Sequence, residues 1–196
     1  MARAIVLPAS ALCLLLVSLG AAPAAPPCTV HGTARVGGRA ASNVVVWLDA
    51  PNAVHAPDSR RVVLDQRNLS FNPQVLAVRV GSVVDFPNND RVFHNVFSFH
   101  DGKRFDLGLY PVGALKRVTF DQAGLSRIFC NIHPNMAAYI MAVETPFFAV
   151  SDSAGAFTVD SVPAGQYTYH AWRPGGAQLS GTWTIDADRS PVIEWR

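Results

Sequence analysis

The chain has 196 residues, which is enough for one sizeable domain or two small ones. Its formal net charge is only +2 at pH 7, and 49% of its residues are hydrophobic. No block of Lys and Arg is present that would follow a nucleic-acid backbone. The composition therefore indicates a globular protein and excludes charge as a reason to expect a nucleic-acid partner.

Residues 1–24 have the composition of a secretory signal peptide. Arg3 precedes an apolar run that ends in small residues, and Ala22, Pro23 and Ala24 form a candidate cleavage site. The run is too short for a convincing membrane span, although an uncleaved anchor is the alternative. We therefore predict a periplasmic protein whose mature chain has no membrane span.

The mature chain contains two cysteines, because Cys13 lies within the signal and leaves Cys28 and Cys130. A disulfide between them is the simplest expectation for an exported protein. The alternative is that Cys130 has a chemical role of its own. Both remain open until its neighbours are considered.

The pattern along the mature chain predicts an all-β fold. Residues 27–59 contain a strand, a Gly-Gly turn and a second strand, and residues 146–196 contain several short strands between Gly and Pro turns. Between them, Leu76, Val78 and Val80, and then Val84 and Phe86, repeat with a period of two. No stretch of ten or more residues shows an apolar stripe of helical period. Short strands at this spacing predict a β-sandwich or barrel.

The two outer sections share motifs that belong together. The first carries Gly32 and the run NVVVWL at 43–48, and the second carries Asp152, Gly155, Phe157 and the run PAGQY at 163–167. These motifs resemble the carboxypeptidase regulatory-like, transthyretin-like β-sandwich. The resemblance implies one discontinuous domain, made of residues 27–59 and 146–196, with residues 60–145 inserted into it. A tandem arrangement is the alternative.

The inserted section contains the motif CNIHPNM, which places Cys130, His133 and Met136 at intervals of three. Zinc prefers four N or S ligands from Cys and His, and a c-type haem requires a second Cys beside the first. A thiolate, imidazoles and a weak thioether suit copper. Because one loop cannot surround a metal, the motif requires a second histidine upstream, and His94 follows the segment VDFPNNDRVF.

The order of these residues resembles the cupredoxins, the family of plastocyanin and amicyanin. The matching residues are Val84, Phe86, Asn88, Asp90, His94, Asn95 and Val96, followed by Cys130, His133 and Met136. The spacing of His133 and Met136 is most similar to amicyanin and pseudoazurin. The whole chain is similar to bacterial plastocyanin-like proteins of the methylamine-utilisation type.

The resemblance implies a cupredoxin domain at residues 60–145 with one type 1 copper held by His94, Cys130, His133 and Met136. It implies a monomer that exchanges single electrons with a transient redox partner. It further implies that Asn95 joins the two ligand loops by hydrogen bonds and that Val92, Phe93, His133 and Pro134 form the docking patch, framed also by Met136. Pro134 fixes φ beside His133 and excludes a helix there, so we expect an extended ligand loop.

Other functions are less consistent with the sequence. Multicopper oxidases need H-x-H pairs, and none occurs, so we do not predict an enzyme. The alternative is copper storage, or a binding module in which the second sandwich is the functional part. The aromatic residues of that sandwich are spaced with a period of two, which favours a role in its core over a role as a carbohydrate-binding surface; they are Trp47, Tyr167, Tyr169, Trp172 and Trp183. The other histidines have no neighbouring metal ligands in the sequence; they are His31, His55, His100 and His170.

Overall fold

The structure, a computed structural model, describes residues 26–50, 61–99 and 101–196. The predicted signal peptide, Cys13, His55 and His100 lie outside the described residues. All regular structure in the described part is β, which confirms the predicted all-β class. In chain order the strands are β1 Cys28–Val36, β2 Arg39–Ala40, β3 Val45–Leu48, β4 Val62–Val63, β5 Asp65–Arg67, β6 Ser70–Asn72, β7 Val75–Arg79, β8 Ser82–Pro87, β9 His94–Ser98, β10 Phe105–Tyr110, β11 Leu115–Phe120, β12 Gly124–Phe129, β13 Ala137–Val143, β14 Phe148–Val150, β15 Ala156–Val162, β16 Gly165–Trp172, β17 Leu179–Ile185 and β18 Val192–Trp195.

Strands from the two ends of the chain pair with one another in two sheets. One sheet has the order β15-β1-β18, with β2 beside β1, and the other has the order β14-β3-β16-β17. Alternate side chains of these strands, among them Val30, Leu48, Phe157 and Ile185, form one core between the sheets. The flanks thus pair as one sandwich, and the domain boundaries proposed from the sequence stay a prediction.

The middle of the chain forms a second sandwich. Its five-stranded sheet has the order β10-β9-β12-β13-β7 and faces the three-stranded sheet β11-β8-β4, while β5 and β6 form a hairpin. Val84 and Phe86 point into the core because the side chains of β8 alternate between its two faces. Cys130 and Met136 belong to the same buried cluster. Both ligand loops, between β8 and β9 and between β12 and β13, therefore end at this core.

The two sandwiches pack together through a third apolar cluster. Val45 of β3 lies with Val75, Met141 and Val143 of the second sandwich, and the ring of Trp172 lies 5.3 Å from that of Tyr139. Both faces of β3 are consequently covered, since its other face belongs to the first core.

The aromatic residues of the first sandwich divide between its two sheet faces. Trp183 is buried in the core between the two sheets, and Tyr167 and Tyr169 are partly buried against it. Trp47 and Trp172 instead lie on the outer face, beside the second sandwich. A core role therefore holds for Trp183, whereas Trp47 and Trp172 contribute to the packing between sandwiches.

Candidate metal centre

Three of the four predicted ligands converge on one point. The Nδ1 atoms of His94 and His133 lie 3.1 Å apart, and Cys130 Sγ lies 3.8 and 3.7 Å from them. In a triangle with these sides, the centre lies about 2.1 Å from each corner, within the range of metal–nitrogen and metal–sulfur bonds of about 2.0 to 2.3 Å. Among the residues that the structure describes, this is the group of His, Cys, Asp and Glu side chains that meets the geometry of a metal site.

His94 begins β9 and is fully buried, and its ring is oriented by Asp90. The Nε2–H of His94 donates to Asp90 Oδ2 over 2.9 Å. An ionised carboxylate only accepts hydrogen bonds, so the proton of the neutral imidazole must reside on Nε2. The lone pair of Nδ1 then points toward Cys130 and His133. This pairing of carboxylate and imidazole is a common way to orient a metal-binding histidine.

Asp90 is itself held by backbone donors. The amide of Leu69, from the turn between β5 and β6, donates to Asp90 Oδ2 over 2.7 Å, and the Arg91 amide donates to Oδ1 over 2.8 Å. Burial alone would raise the pKa of Asp90, but the bonds from Leu69, His94 and Arg91 outweigh it and lower the pKa to about 2. Asp90 is therefore ionised at neutral pH and accepts the hydrogen bond from His94 as a charged partner.

The loop that carries Cys130 and His133 closes on itself. The Met136 amide donates to the His133 carbonyl over 2.9 Å, and the Cys130 amide donates to the Met136 carbonyl over 3.2 Å. Pro134 occupies the second position of this turn, where its fixed φ is favourable. The expected extended loop is thus wrong, although the expected absence of a helix at His133 is correct, because Pro134 fits a hydrogen-bonded turn equally well.

Met136 is 1% exposed and packs in the same apolar cluster as Cys130. It lies beneath the loop and away from solvent, so it does not frame the surface as expected. Its role as the fourth ligand stays a prediction.

Asn95 contacts both ligand-bearing segments. Its Oδ1 accepts a long hydrogen bond of 3.4 Å from the amide of Asn131, the residue after Cys130. Its Nδ2 donates to Asp106 Oδ1 over 2.8 Å, a contact that the sequence did not suggest. The side chain is therefore placed between β9 and the Cys130 loop, and its predicted role in joining them stays a prediction.

Sequence reasoning named Asn88 without assigning it a contact, and it missed Tyr110; both shape the surroundings of His94. Asn88 Nδ2 donates to the carbonyls of Val92 and Tyr110, and Asn88 Oδ1 accepts from the Asp90 amide. Tyr110 pairs with His94 in the β10–β9 register, and its hydroxyl donates to the Phe86 carbonyl over 3.1 Å. Burial raises the pKa of Tyr110, so its phenol stays neutral. The Asn-x-Asp spacing at 88–90 indicates the contact between Asn88 and the Asp90 amide. No pattern in the sequence indicates that Tyr110 lies beside His94.

Several apolar residues close to His94 and His133 in the chain are exposed. Val92 is 41% and Phe93 50% exposed, Pro134 is exposed, and His133 is half-buried. Ile132, at 47% exposure, extends this surface and was not predicted. We call Val92, Phe93, Ile132 and Pro134 the apolar patch.

The remaining cysteines and histidines of the described part do not join the site. Cys28 and Cys130 are both free and lie in separate cores, which excludes a disulfide between them. His31 lies near Thr158, and His170 near Asp49, in the first sandwich.

Known proteins share this architecture only in part. No protein-family model matches the chain, and no curated protein matches it. Among solved structures, a purple cupredoxin from Nitrosopumilus maritimus is similar over 43% of this chain and 100% of its own, at 22% identity and a TM-score of 0.38. A reduced amicyanin variant is similar over 50% of this chain and 99% of its own, at 21% identity and a TM-score of 0.39. A copper-containing nitrite reductase from Thermus scotoductus is similar over 49% of this chain and 26% of its own, at 28% identity and a TM-score of 0.42.

Among residues 26–50, 61–99 and 101–196, no helix has the length and apolar character that crossing a membrane requires.

Proposed function

We propose that this chain is an exported type 1 copper protein that carries single electrons between redox partners. The observation that supports the proposal is the triangle formed by His94 Nδ1, His133 Nδ1 and Cys130 Sγ. Two imidazoles and one thiolate in a trigonal arrangement, with a weak thioether from Met136, are the donor set of copper electron-transfer sites. Copper bound there would supply one-electron chemistry by alternating between Cu(I) and Cu(II).

The protein's own contribution is a rigid and dry frame. His94 is fully buried and held through Asp90, and Cys130 is 4% exposed within the core. Burial keeps water away from the donor atoms, and the fixed ring of His94 needs no rearrangement when the charge of the site changes. Both properties favour fast electron transfer over catalysis, since four protein ligands would leave no position for a substrate.

The half-buried His133 is the ligand nearest to solvent, and Ile132 and Pro134 of the apolar patch flank it in the chain. We propose that Val92, Phe93, His133 and Pro134 form the surface on which a redox partner docks. Redox encounters typically use small interfaces, so a few exposed apolar side chains beside a ligand are consistent with such a role.

The deciding experiment is the visible and EPR spectrum of the mature protein after addition of Cu(II). We expect an intense charge-transfer band in the wild type and its loss in Cys130→Ser. Cys28→Ser is the matched control, because it removes the other buried thiol and leaves the donor atoms intact.

Two outcomes would contradict the proposal: a colourless copper complex of the wild type, or a band that persists in Cys130→Ser. A coloured protein that cannot be reduced and reoxidised reversibly at an electrode would favour copper storage over electron transfer.

A further inference from the structure

A cleft of about 730 Å³ lies between the two sandwiches, away from the metal site. One wall is the outer face of the β3–β16 sheet, with the indoles of Trp47 and Trp172. The opposite wall is formed by the ends of β12 and β13, including Leu125 and Met141. Volumes of this size, and positions at domain interfaces, are typical of small-molecule sites.

The polar part of the cleft is held in place by one histidine. The ring of His170 stacks on Trp47 with centroids 5.0 Å apart and an angle of 20° between planes. Its Nε2 lies 3.0 Å from Asp49 Oδ2, and its Nδ1 lies 3.3 Å from Gln178 Nε2. A neutral ring satisfies both contacts by donating to Asp49 and accepting from Gln178. Trp47, Asp49 and Gln178, all lining residues, are thus preorganised together.

The lining has a clear electrostatic character. Asp49 and Glu144 are its charged residues, and among the described lining residues there is no Lys or Arg. Indole faces attract cations, and they do so most strongly where water is partly excluded. Trp172 also borders the cleft and is fixed by its contact with Tyr139.

We propose that this cleft binds an organic cation, namely a quaternary ammonium group that carries an apolar arm. The cation lies against the indoles and is compensated by Glu144 and Asp49. The apolar arm packs on Leu125, Met141 and Val143 of the opposite wall.

The cleft and the metal site lie at opposite ends of the same hairpin. Leu125 pairs directly with Met141, and the loop joining their strands carries Cys130, His133 and Met136. Cys130 follows Leu125 by five positions, or about 17 Å at the rise of an antiparallel strand. Cation binding therefore does not require the metal, and it can be tested with the metal-free protein and with Cys130→Ser.

The experiment is calorimetric titration of the full mature chain with butyrylcholine and with its neutral carbon isostere, 3,3-dimethylbutyl butyrate. We expect the cation to bind at least fivefold more tightly, with an affinity that decreases with salt. Glu144→Gln should weaken cation binding at least threefold and leave the neutral ester unaffected. Asp160→Asn is the matched control, since Asp160 is an exposed acid outside the cleft.

Trp47→Leu provides a second test, because it keeps an apolar side chain and removes the aromatic face. We expect it to weaken binding of the cation at least fivefold, with unfolding monitored in parallel. A trimethyl-lysine peptide distinguishes the sources of the cation: binding tighter than that of butyrylcholine assigns the site to a protein side chain, and weaker binding to a free small molecule. Equal affinity for the cation and the neutral ester, or no effect of Glu144→Gln, would overturn the proposal.

Discussion

Asp90→Asn tests whether the metal site is preorganised by a buried carboxylate. One oxygen of Asp90 accepts from both His94 Nε2 and the Leu69 amide, and the other accepts from the Arg91 amide. An asparagine has only one acceptor oxygen. Its NH₂ group must therefore face either the Arg91 amide or the Leu69 amide, both of which are donors. The substitution therefore removes at least one hydrogen bond and the negative charge.

The magnitude follows from the lowered pKa of Asp90 and agrees with the usual strength of the hydrogen bonds that lower it. The folded protein lowers the pKa of Asp90 from 3.8 to about 2, which corresponds to roughly 2 to 3 kcal/mol of stabilisation of the ionised form. Loss of a charge-assisted hydrogen bond costs a similar amount, about 1.5 to 3 kcal/mol. Because the pKa is lowered, this stabilisation is present above about pH 4 and is lost as the pH falls toward 2.

We expect the metal-free Asp90→Asn protein to lose about 2 to 3 kcal/mol of unfolding free energy in urea at pH 7. Metal affinity, measured by competition with a chelator, should fall about 10- to 100-fold. In ¹⁵N NMR spectra the preference of His94 for the Nε2–H tautomer should weaken, because a neutral amide oxygen is a poorer acceptor than a carboxylate. Asp121→Asn, at an exposed ion pair with Lys103, is the control and should leave the free energy of unfolding nearly unchanged. A loss below about 0.5 kcal/mol, with an unchanged tautomer and affinity, would refute the reasoning.

Two further predictions concern the surface and the opposite sheet. Phe93→Lys should slow electron self-exchange of the copper-loaded protein at least tenfold, because it places a charge in the apolar patch. Phe99→Lys is the control and should leave the rate unchanged, since Phe99 is similarly exposed but lies at the other end of β9. Equal self-exchange rates of the two variants, measured by NMR line-broadening, would contradict the docking role. Asp85 is buried, but contacts with Arg117 and Arg61 outweigh burial and lower its pKa. Its contribution is therefore present above about pH 4 and lost as the pH falls further, so Asp85→Asn should flatten the decline in urea midpoint below pH 4; parallel declines would contradict this.

The sequence was sufficient for those features that depend on local pattern. The period of two through Val84 and Phe86 predicts a half-buried strand, and β8 has both residues in the core. The order of His94, Cys130 and His133 predicts a shared site because few other functions need these residue types at this spacing, and their donor atoms do meet.

Features that depend on register and on two-sided burial were not predictable. Trp47 alternates with Val46 and Leu48, so the pattern places it on the opposite face, but only the packing of a second sandwich shows that this face is covered too. Tyr110 lies beside His94 because of the β10–β9 register, which contains a bulge between Asp106 and Leu109. A bulge shifts every later pair by one position, so no spacing in the sequence identifies that neighbour.

The turn between β5 and β6 has an unfavourable backbone conformation, and one hydrogen bond connects this turn to the metal site. Asn68 and Leu69 both adopt positive φ, at 53° and 56°. Asn tolerates this region, but a leucine there costs about 1 to 2 kcal/mol. The same conformation directs the Leu69 amide to Asp90 Oδ2, the oxygen that also accepts from His94. Because that hydrogen bond involves a buried charge, it can offset the cost of the turn. An exposed hairpin turn, 25 residues before His94 in the chain, thereby helps to determine which nitrogen of that histidine faces the metal site.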